Sequence, residues 1–529
     1  MPEPVAFAMN PSRSMPVARS TLIVMGGMLA SMAMGLVRQR VIAARFGTGA
    51  TLDAYTAANG LPELLFTMLA GGALTFAFIP IYSEFLSGGD RAGGNRLVSQ
   101  VFNSIFLLAV AVSAIAALAA PTLVAAPWGL GPHFPIELQR LTADLMRVLL
   151  LSTILFAISS ILSGVLHAHQ HFLLPAVSPI VYSLGVIFGA LALSPAMGIL
   201  GLGWGAVAGA ALHLGVQLPG LIRYRVRWSP TFGWASPALR RVAVLMAPRV
   251  VDLMMARASI DWLNANLGSG LGEGRLSALR YAFQVMNMPW TLVGTAIGIA
   301  VFPTFAALAA EQDRAALRGA LSGALRAILT LTLPAAVGLL LLGRPVIQVL
   351  FEGGEFTAES TDLVFYALRF YVLALISQSV LEVTVRAFAS RKDTLTPLLV
   401  SFFTTALNLG LALALARPER LSHGGLALAN GVAVGVESLI GLAILHRRWG
   451  LLEVRRVVGD LARSGLACAA MALAITVGLA LAPEAPLAEL ILAGGLGTVV
   501  YFVAAAALGI REVRSLPLTL LRSLQPQKA

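Results

Sequence analysis

Apolar stretches of about twenty residues follow one another along almost the whole chain, and the short links and tails around them hold most of its arginines. A helix of that length, rising about 1.5 Å per residue, matches the ~30 Å hydrocarbon thickness of a bilayer. In lipid each backbone N–H and C=O must be satisfied within the protein, so such runs fold as helices. Only 12% of the 529 residues are charged and 58% are hydrophobic, against about a quarter charged in soluble domains. A soluble chain this long could bury a large core, but it would lack the charge to cover its surface. The sequence therefore predicts an all-α polytopic membrane protein.

Hydrophobic windows bounded by Gly, Pro and charged residues predict about fourteen transmembrane spans, at 20–44, 53–86, 97–119, 140–166, 173–193, 199–221, 240–266, 276–309, 316–342, 362–389, 395–416, 424–446, 459–481 and 487–509. The net charge is +12. In a soluble protein that would suggest nucleic acid, but no aromatic-interleaved basic patch is present, and the arginines follow the positive-inside rule. Arg223, Arg225, Arg227, Arg240 and Arg241 flank one link, Arg447, Arg448, Arg455 and Arg456 another, and Arg511, Arg514, Arg522 and Lys528 lie in the tail. The links 120–137, 194–198, 267–274 and 482–486 hold no Lys or Arg. Both termini are expected to be cytoplasmic, in a multi-pass protein of the plasma (inner) membrane. Arg344, Arg417 and Arg420 are the exceptions on the outer side. Cys468, the single cysteine, can form no intrachain disulfide.

An internal repeat is visible. "SILSGVLHAHQHFLLPAV" from Ser160 resembles "SVLEVTVRAFASRKDTLTPLLV" from Ser379, and "FAFIPIYSEFL" with Pro80 resembles "AVFPTFAALA" with Pro303. The offsets cluster near 220 residues, or six spans, so the copies run parallel, as in transporters whose substrate site lies between two halves. The expected organisation is a cytoplasmic tail (1–19), a six-helix lobe (20–222), a cytoplasmic linker (223–239), a second six-helix lobe (240–447), two further helices (448–510) and a tail (511–529).

No P-loop, zinc spacing, HExxH or nucleophile elbow is present, so neither an enzyme nor a cofactor is expected. His167, His169 and His171 read as a polar turn rather than a metal site. The informative residues are charges inside spans, each costing roughly 2.5–3.5 kcal/mol at a helix centre and so expected to face water, a partner or a ligand. Arg38 and Arg45 share a helix face, while Arg40 points about 160° from Arg38. Arg45 can snorkel to the headgroups; Arg38 lies about 10 Å deeper and is the better cavity residue. Asp53 and Glu63 sit on the second span. Arg257 and Asp261 are spaced to pair on the seventh. Arg280, Gln284 and Asn287 form a polar stripe on the eighth. Glycine and proline at Gly60, Pro62, Gly71, Gly72, Pro80, Pro289 and Pro303 predict bends in the same helices. A cation-rich cavity with bending walls suits an anionic substrate carrying phosphate, which arginine binds with bidentate geometry. Asp53, Asp252, Asp261 and Glu382 could carry protons or sodium.

"FEGGEFTAESTDLVFYAL" (351–368) with "VRAFASRKDTLTP" (385–397) resembles the hallmark region of the lipid II flippase family (MurJ/MviN), within the multidrug/oligosaccharidyl-lipid/polysaccharide exporter superfamily. "FGTGATLDAYTAANGLPELL" (46–65), "GGALTFAFIPIYSE" (71–84) and "YAFQVMNMPWTLVGTAIGIAVFPTFA" (281–306) resemble its second and eighth helices. The resemblance spans nearly the whole chain. It implies two six-helix lobes plus two helices, and alternating-access flipping of an undecaprenyl-diphosphate-linked cell-wall precursor through a cationic central cavity. It places Arg38 and Asp53 on functional positions of the family's first and second helices. Together with the charges and polar stripe above, the residues expected to hold the substrate are Arg38, Arg40, Asp53, Arg257, Asp261, Arg280, Gln284 and Asn287, with gating or coupling expected at Asp252, Glu382, Arg386 and Asp393. The partners implied are the polyprenyl-diphosphate substrate, the bilayer and cell-wall synthesis enzymes, for a monomer driven by membrane potential, Na+ or H+. Several family charges are replaced: Met32 and Gln39 in the first helix, Phe66 and Thr67 in the second, Phe283, Gln284 and Asn287 in the eighth. Arg40, Arg257 and Arg280 could substitute from neighbouring positions. Two alternatives stand beside the flippase: an exporter of another lipid-linked polysaccharide or small molecule, and a non-transporting membrane scaffold.

Overall fold

The computed structural model describes residues 11–69, 72–233, 236–510 and 512–513, with side chains from residue 26 onward except those of 69, 72–76, 248–249 and 251–259. Among these residues the chain is helical, and the sole bridge pairs Gly353 with Phe356 in a turn. The helices are α1 (Pro11–Phe46), α2 (Ala50–Leu69 and Gly72–Ser87), α3 (Arg91–Ala125), α4 (Ile136–Ala168), α5 (Leu173–Met197) and α6 (Ile199–Arg223). After a linker come α7 (Pro237–Arg257, continued to Gly268), α8 (Arg275–Ala310), α9 (Arg314–Phe351), α10 (Ala358–Ser390), α11 (Leu395–Leu415), α12 (Ser422–Trp449), α13 (Val454–Leu481) and α14 (Pro486–Ala507). Eleven of these, all but α1, α2 and α7, are long and apolar enough to cross a membrane by the described residues alone.

Proline acts on these helices where its missing N–H would have bonded one turn back. Pro289 in α8 is followed by a π-helical segment, Trp290–Thr295, the local widening expected when the ladder loses a bond. Pro62 and Pro80 lie inside helical segments of α2.

By its contacts the chain divides into two compact units, residues 1–269 and 270–529. In the first unit, Phe78, Ile81, Leu97, Val101, Ile161 and Val165 pack α2, α3 and α4 together. Helices α5 and α6 meet through glycine: a Cβ on Gly185 would stand 2.3 Å from the Gly209 Cα, so the backbones touch where only glycine fits. Helix α1 packs on α5 through Gly27, where an added Cβ would come within 2.6 Å of Ala176. Val242 of α7 belongs to this same core. Arg241 bonds Glu84 at 3.0 and 3.2 Å, and Asn266 donates to the carbonyls of Pro127 and Gly129. Packing therefore groups α7 with the first unit, whereas repeat length assigns it to the second lobe. The linker is also tied down: the Asn103 amide donates to the Ser229 and Thr231 carbonyls and accepts from the Trp228 indole.

In the second unit, Leu321, Leu325, Ile328, Val383, Phe388 and Leu445 join α9, α10 and α12. Helices α13 and α14 pack on α9 through Met471, Ile475, Tyr501 and Leu342. The Tyr501 hydroxyl donates to the Thr330 carbonyl, and Arg326 faces Asp460 at 3.6 Å and Glu512 at 3.2 Å, all three largely buried. Burying these charges is tolerable because they compensate one another.

The turns that close α2 and α8 match bond for bond. Asp90 and Asp313 each cap the next helix, accepting from the N–H of Gly93 and Ala316. Their own N–H groups reach back to Phe85 and Leu308. The turns after α4 and α10 match likewise: Gln170 and Lys392 are both left-handed, at φ 57° and 61°, and the following N–H groups bond Leu166 and Phe388.

Candidate functional site

Arg38 is half-buried on α1. The packing of α1 on α5 brings it to two residues that no sequence period relates to it. Its guanidinium donates to the Ser183 hydroxyl at 3.4 Å and lies 5.5 Å from the centroid of the Tyr182 ring. Such a contact is worth about 0.5–2 kcal/mol, depending on desolvation. It fixes a side chain that otherwise has several free rotors. Tyr182 is held in turn by Phe156, whose ring also meets Phe66 and His213 at 5.0 and 5.2 Å. Behind these, His213 and Ser159 are 2.7 Å apart, Gln217 donates to Ser159, and Ser163 donates to Gln217. Ser159 and Gln217 are fully buried. Guanidinium has five donors in a planar fork, and Ser183 takes one. The arrangement presents an oriented cation to an anion, the fork geometry phosphate accepts.

Of the other expected residues in this unit, Arg40 and Arg45 are exposed, Asp53 is 2% exposed near the start of α2, and Asp261 is half-buried. Glu63 accepts from the Asn59 amide at 3.1 Å. The side chains of Asp252 and Arg257 lie outside the described residues.

In the second unit Arg280 is exposed, while Gln284 and Asn287 on the same face of α8 are half-buried. The rotation of α8 is set by the next residue. Tyr281 is buried, its ring 5.0 Å from Phe351 and 5.5 Å from Phe356. Successive helical residues diverge by about 100°, so clamping Tyr281 turns Arg280 outward. Phe351 and Phe356 are the aromatic residues of "FEGGEF". Gly353 and Phe356 pair across its turn, Gly353 takes φ 146°, and the Thr361 hydroxyl donates to Glu352 at 2.9 Å. The hallmark stretch thus acts as a positioning clamp.

Glu382 and Arg386 pair with each other along α10. Arg386 lies over Gly298 of α8, where a Cβ would come within 2.7 Å of the guanidinium. Asp393 accepts from the Thr396 N–H and hydroxyl, with Arg448 at 3.5 Å, and so braces the turn between α10 and α11 against α12. The histidines of the other turn are engaged with aromatics. His169 stacks on Tyr224 at 4.3 Å and lies 3.3 Å from the Tyr82 hydroxyl. Burial and then the Arg91 charge push its pKa below the ordinary imidazole value.

Tyr182, Ser183, Tyr281 and Asn103 were not among the expected residues. Polar or aromatic types in lipid-exposed windows were the available signal, but their partners lie far off in sequence.

Comparison with known proteins follows the same line. The family model described as lipid II flippase MurJ matches residues 42–489. The chain is similar to the lipid II flippase MurJ of Burkholderia cenocepacia, 28% identical over 439 residues, covering 81% of this chain and 84% of that one. It is equally similar to a probable lipid II flippase MurJ of Rhizobium tropici, 28% over 451 residues, covering 83% and 82%. Among solved structures, a lipid II flippase MurJ in an inward closed conformation superimposes with TM-score 0.77 at 22% identity, covering 95% of this chain and all of that one. An inward-facing MATE transporter of the MOP superfamily gives 0.67 at 15%, covering 79% and 94%. At these identities the structural matches speak for the fold.

Proposed function

The chain belongs to the lipid II flippase MurJ family, and from that membership we propose how its own residues serve the transport of lipid II. It is a multi-pass membrane flippase, and in our reading it works by alternating access. We infer fourteen spans arranged as two parallel six-helix repeats plus α13 and α14. The eleven membrane-length helices, the helices in the three remaining windows and the bond-for-bond match of the turns after α2 and α8 support that reading. Both termini are assigned to the cytoplasmic side of the inner membrane on the arginine-rich links.

The observation that carries the site assignment is the held guanidinium of Arg38. In this reading Arg38 of the first unit meets the diphosphate of the lipid-linked precursor, while in the second unit Arg280 and the polar residues Gln284 and Asn287 of α8 form a separate candidate contact for its head group. The tyrosine and serine behind Arg38 reduce the ordering cost of binding. The test is rescue of a bacterium depleted of its native lipid II flippase. Growth is expected with the wild-type chain and is lost with Arg38→Glu at equal membrane abundance. Normal insertion of the wild-type chain without rescue counts against lipid II as its substrate.

One observation favours a second reading. Met32, Gln39, Phe66 and Gln284 stand where the family resemblance implies charge, so a related lipid-linked glycan is the alternative cargo. Direct binding of labelled lipid II against that glycan separates the two.

A further inference from the structure

The ends of α8 and α10 leave a cleft of about 670 Å³ inside the second unit. Its apolar wall includes Phe302 and Ala306 of α8 and Ala389 of α10, and Arg314, Arg391 and Lys392 line it as well. Arg391 is half-buried, its guanidinium 4.6 Å from the centroid of the Trp449 ring, and its Nε is buried with no hydrogen-bond partner. Arg314 and Lys392 are exposed. Three like charges around one cleft repel one another, and the acids on the same turns do not offset them. Asp313 caps Ala316. Asp393 is bound to Thr396 and faces Arg448. Glu311 is exposed and does not line the cleft.

The matching turns of the first unit are built differently. There Arg91 stands where Arg314 does, but the neighbouring space is taken by Tyr82, His169 and Tyr224 in contact with one another. In the first unit aromatic rings and the His169 imidazole pack together near this turn, and the space left at the α2 turn is lined by Glu84 and Asp90 as well as Arg241, whereas the charged residues lining the second unit's cleft are all cations. The positive-inside rule accounts for basic residues on one membrane face. It does not account for their convergence on an unfilled cleft. A ligand that suits both walls is an amphiphile with an anionic head, and basic pockets between membrane helices are where acidic head groups bind.

We propose that the cleft between α8 and α10 binds an acidic phospholipid, its phosphate among Arg314, Arg391 and Lys392 and its acyl chain along Phe302 and Ala306. The lipid would join the end of the bending helix α8 to α10. Neither Arg38 nor Arg280 lines the cleft, and the proposal stands whichever lipid-linked glycan is carried.

The test is native mass spectrometry of the purified full-length chain titrated with phosphatidylglycerol, with phosphatidylcholine as the zwitterionic control. Wild type should retain phosphatidylglycerol in preference to phosphatidylcholine. R314Q/K392Q, with an unchanged melting temperature, should weaken that binding roughly thirty-fold. R447Q/R455Q, which removes exposed arginines outside the cleft, should leave it unchanged. Equal phosphatidylglycerol binding by wild type and R314Q/K392Q overturns the proposal, as does equal loss in R447Q/R455Q. Two competitors fix the occupant. If inorganic phosphate displaces the lipid at equal concentration, the cleft is a site for free anions. If a polyprenyl diphosphate displaces it with the same dependence on Arg314 and Lys392, the cleft belongs to the transported lipid. Either result overturns the phospholipid assignment.

Discussion

The guanidinium of Arg38 lies over the ring of Tyr182, 5.5 Å from its centroid, and donates to the neighbouring Ser183. Helix α1 therefore presents a cation whose direction is decided by α5. Removing the ring while keeping an apolar side chain should leave the charge and lose its orientation. Tyr182→Leu is expected to lower flipping about 2- to 30-fold, matching a cation–π contribution of about 0.5–2 kcal/mol, while Tyr182→Phe retains most of the activity. Complementation and a proteoliposome flipping assay at equal protein amounts check this. Equal activity of the two variants would remove the positioning role.

The clamp on Tyr281 makes a different prediction, because Phe351 and Phe356 are buried and meet α8 at the buried Tyr281 ring. Phe356→Ala should destabilise the second unit by about 3–5 kcal/mol, the usual cost of emptying a buried aromatic site. Phe356→Leu should cost less and keep transport. Thermal melting in detergent gives the first quantity, and rescue gives the second. A large transport loss in Phe356→Ala without a lowered melting temperature would show that the stretch acts on substrate directly.

Asn103 holds the linker by three hydrogen bonds. The linker carries Arg223, Arg225 and Arg227, all trypsin targets. Asn103→Ala removes the bonds to the Ser229 and Thr231 carbonyls, each worth about 0.5–1.5 kcal/mol net, or about 1–3 kcal/mol together. Limited trypsin digestion should cut the linker roughly 5- to 150-fold faster in the variant if cleavage follows local opening. Unchanged digestion would mean that other contacts hold the strap.

How far these features were legible depended on whether a local rule decided them. Lipid requires about twenty apolar residues per helix, so a helix lies in every expected window. The ends run further because capping happens outside the hydrocarbon: Asp90 starts α3 at Arg91 rather than 97, and Thr357 starts α10 at Ala358 rather than 362. Arg38 could be singled out because a charge in lipid has few explanations. Tyr182 could not, being 144 positions away on a helix whose contact with α1 depends on tertiary packing at Gly27 and Ala176. Asp393, expected at gating or coupling, has the bonds of a turn brace, which depend on Thr396 three residues on and on Arg448 of another helix.

His169 and His171 give a pH dependence with a definite sign. Both pKa values are lowered, first by burial and then by Arg91 and Arg223 respectively. Below the ordinary imidazole pKa of about 6.5 the unfolded chain binds protons that the folded turn resists, so stability falls as the pH drops from there toward the folded pKa values. Above about 6.5 both states are neutral and the effect vanishes. The melting temperature of wild type should decline from about pH 7 to pH 5 more than that of His169→Phe/His171→Phe, in which aromatic packing on Tyr224 can persist. Parallel curves for the two proteins would assign the pH response to other groups.

Two glycines of α8 separate backbone packing from side-chain packing. A Cβ at Gly298 would meet the end of Arg386, which can swing aside, though only by loosening its pair with Glu382. A Cβ at Gly294 would meet the Ser379 Oγ at 2.9 Å, the Ser379 Cα at 3.1 Å and the Trp290 ring at 2.8 Å. Backbone cannot yield as a long side chain can, and Gly294 lies in the π-helical segment after Pro289. Gly294→Ala should therefore destabilise by about 1–3 kcal/mol through overpacking, and Gly298→Ala by less. If α8 bends at that segment during transport, Gly294→Ala should also slow flipping beyond what its lost stability explains, measured at a temperature where both variants stay folded. A larger effect at Gly298 than at Gly294 would place the sensitive contact at Arg386 instead.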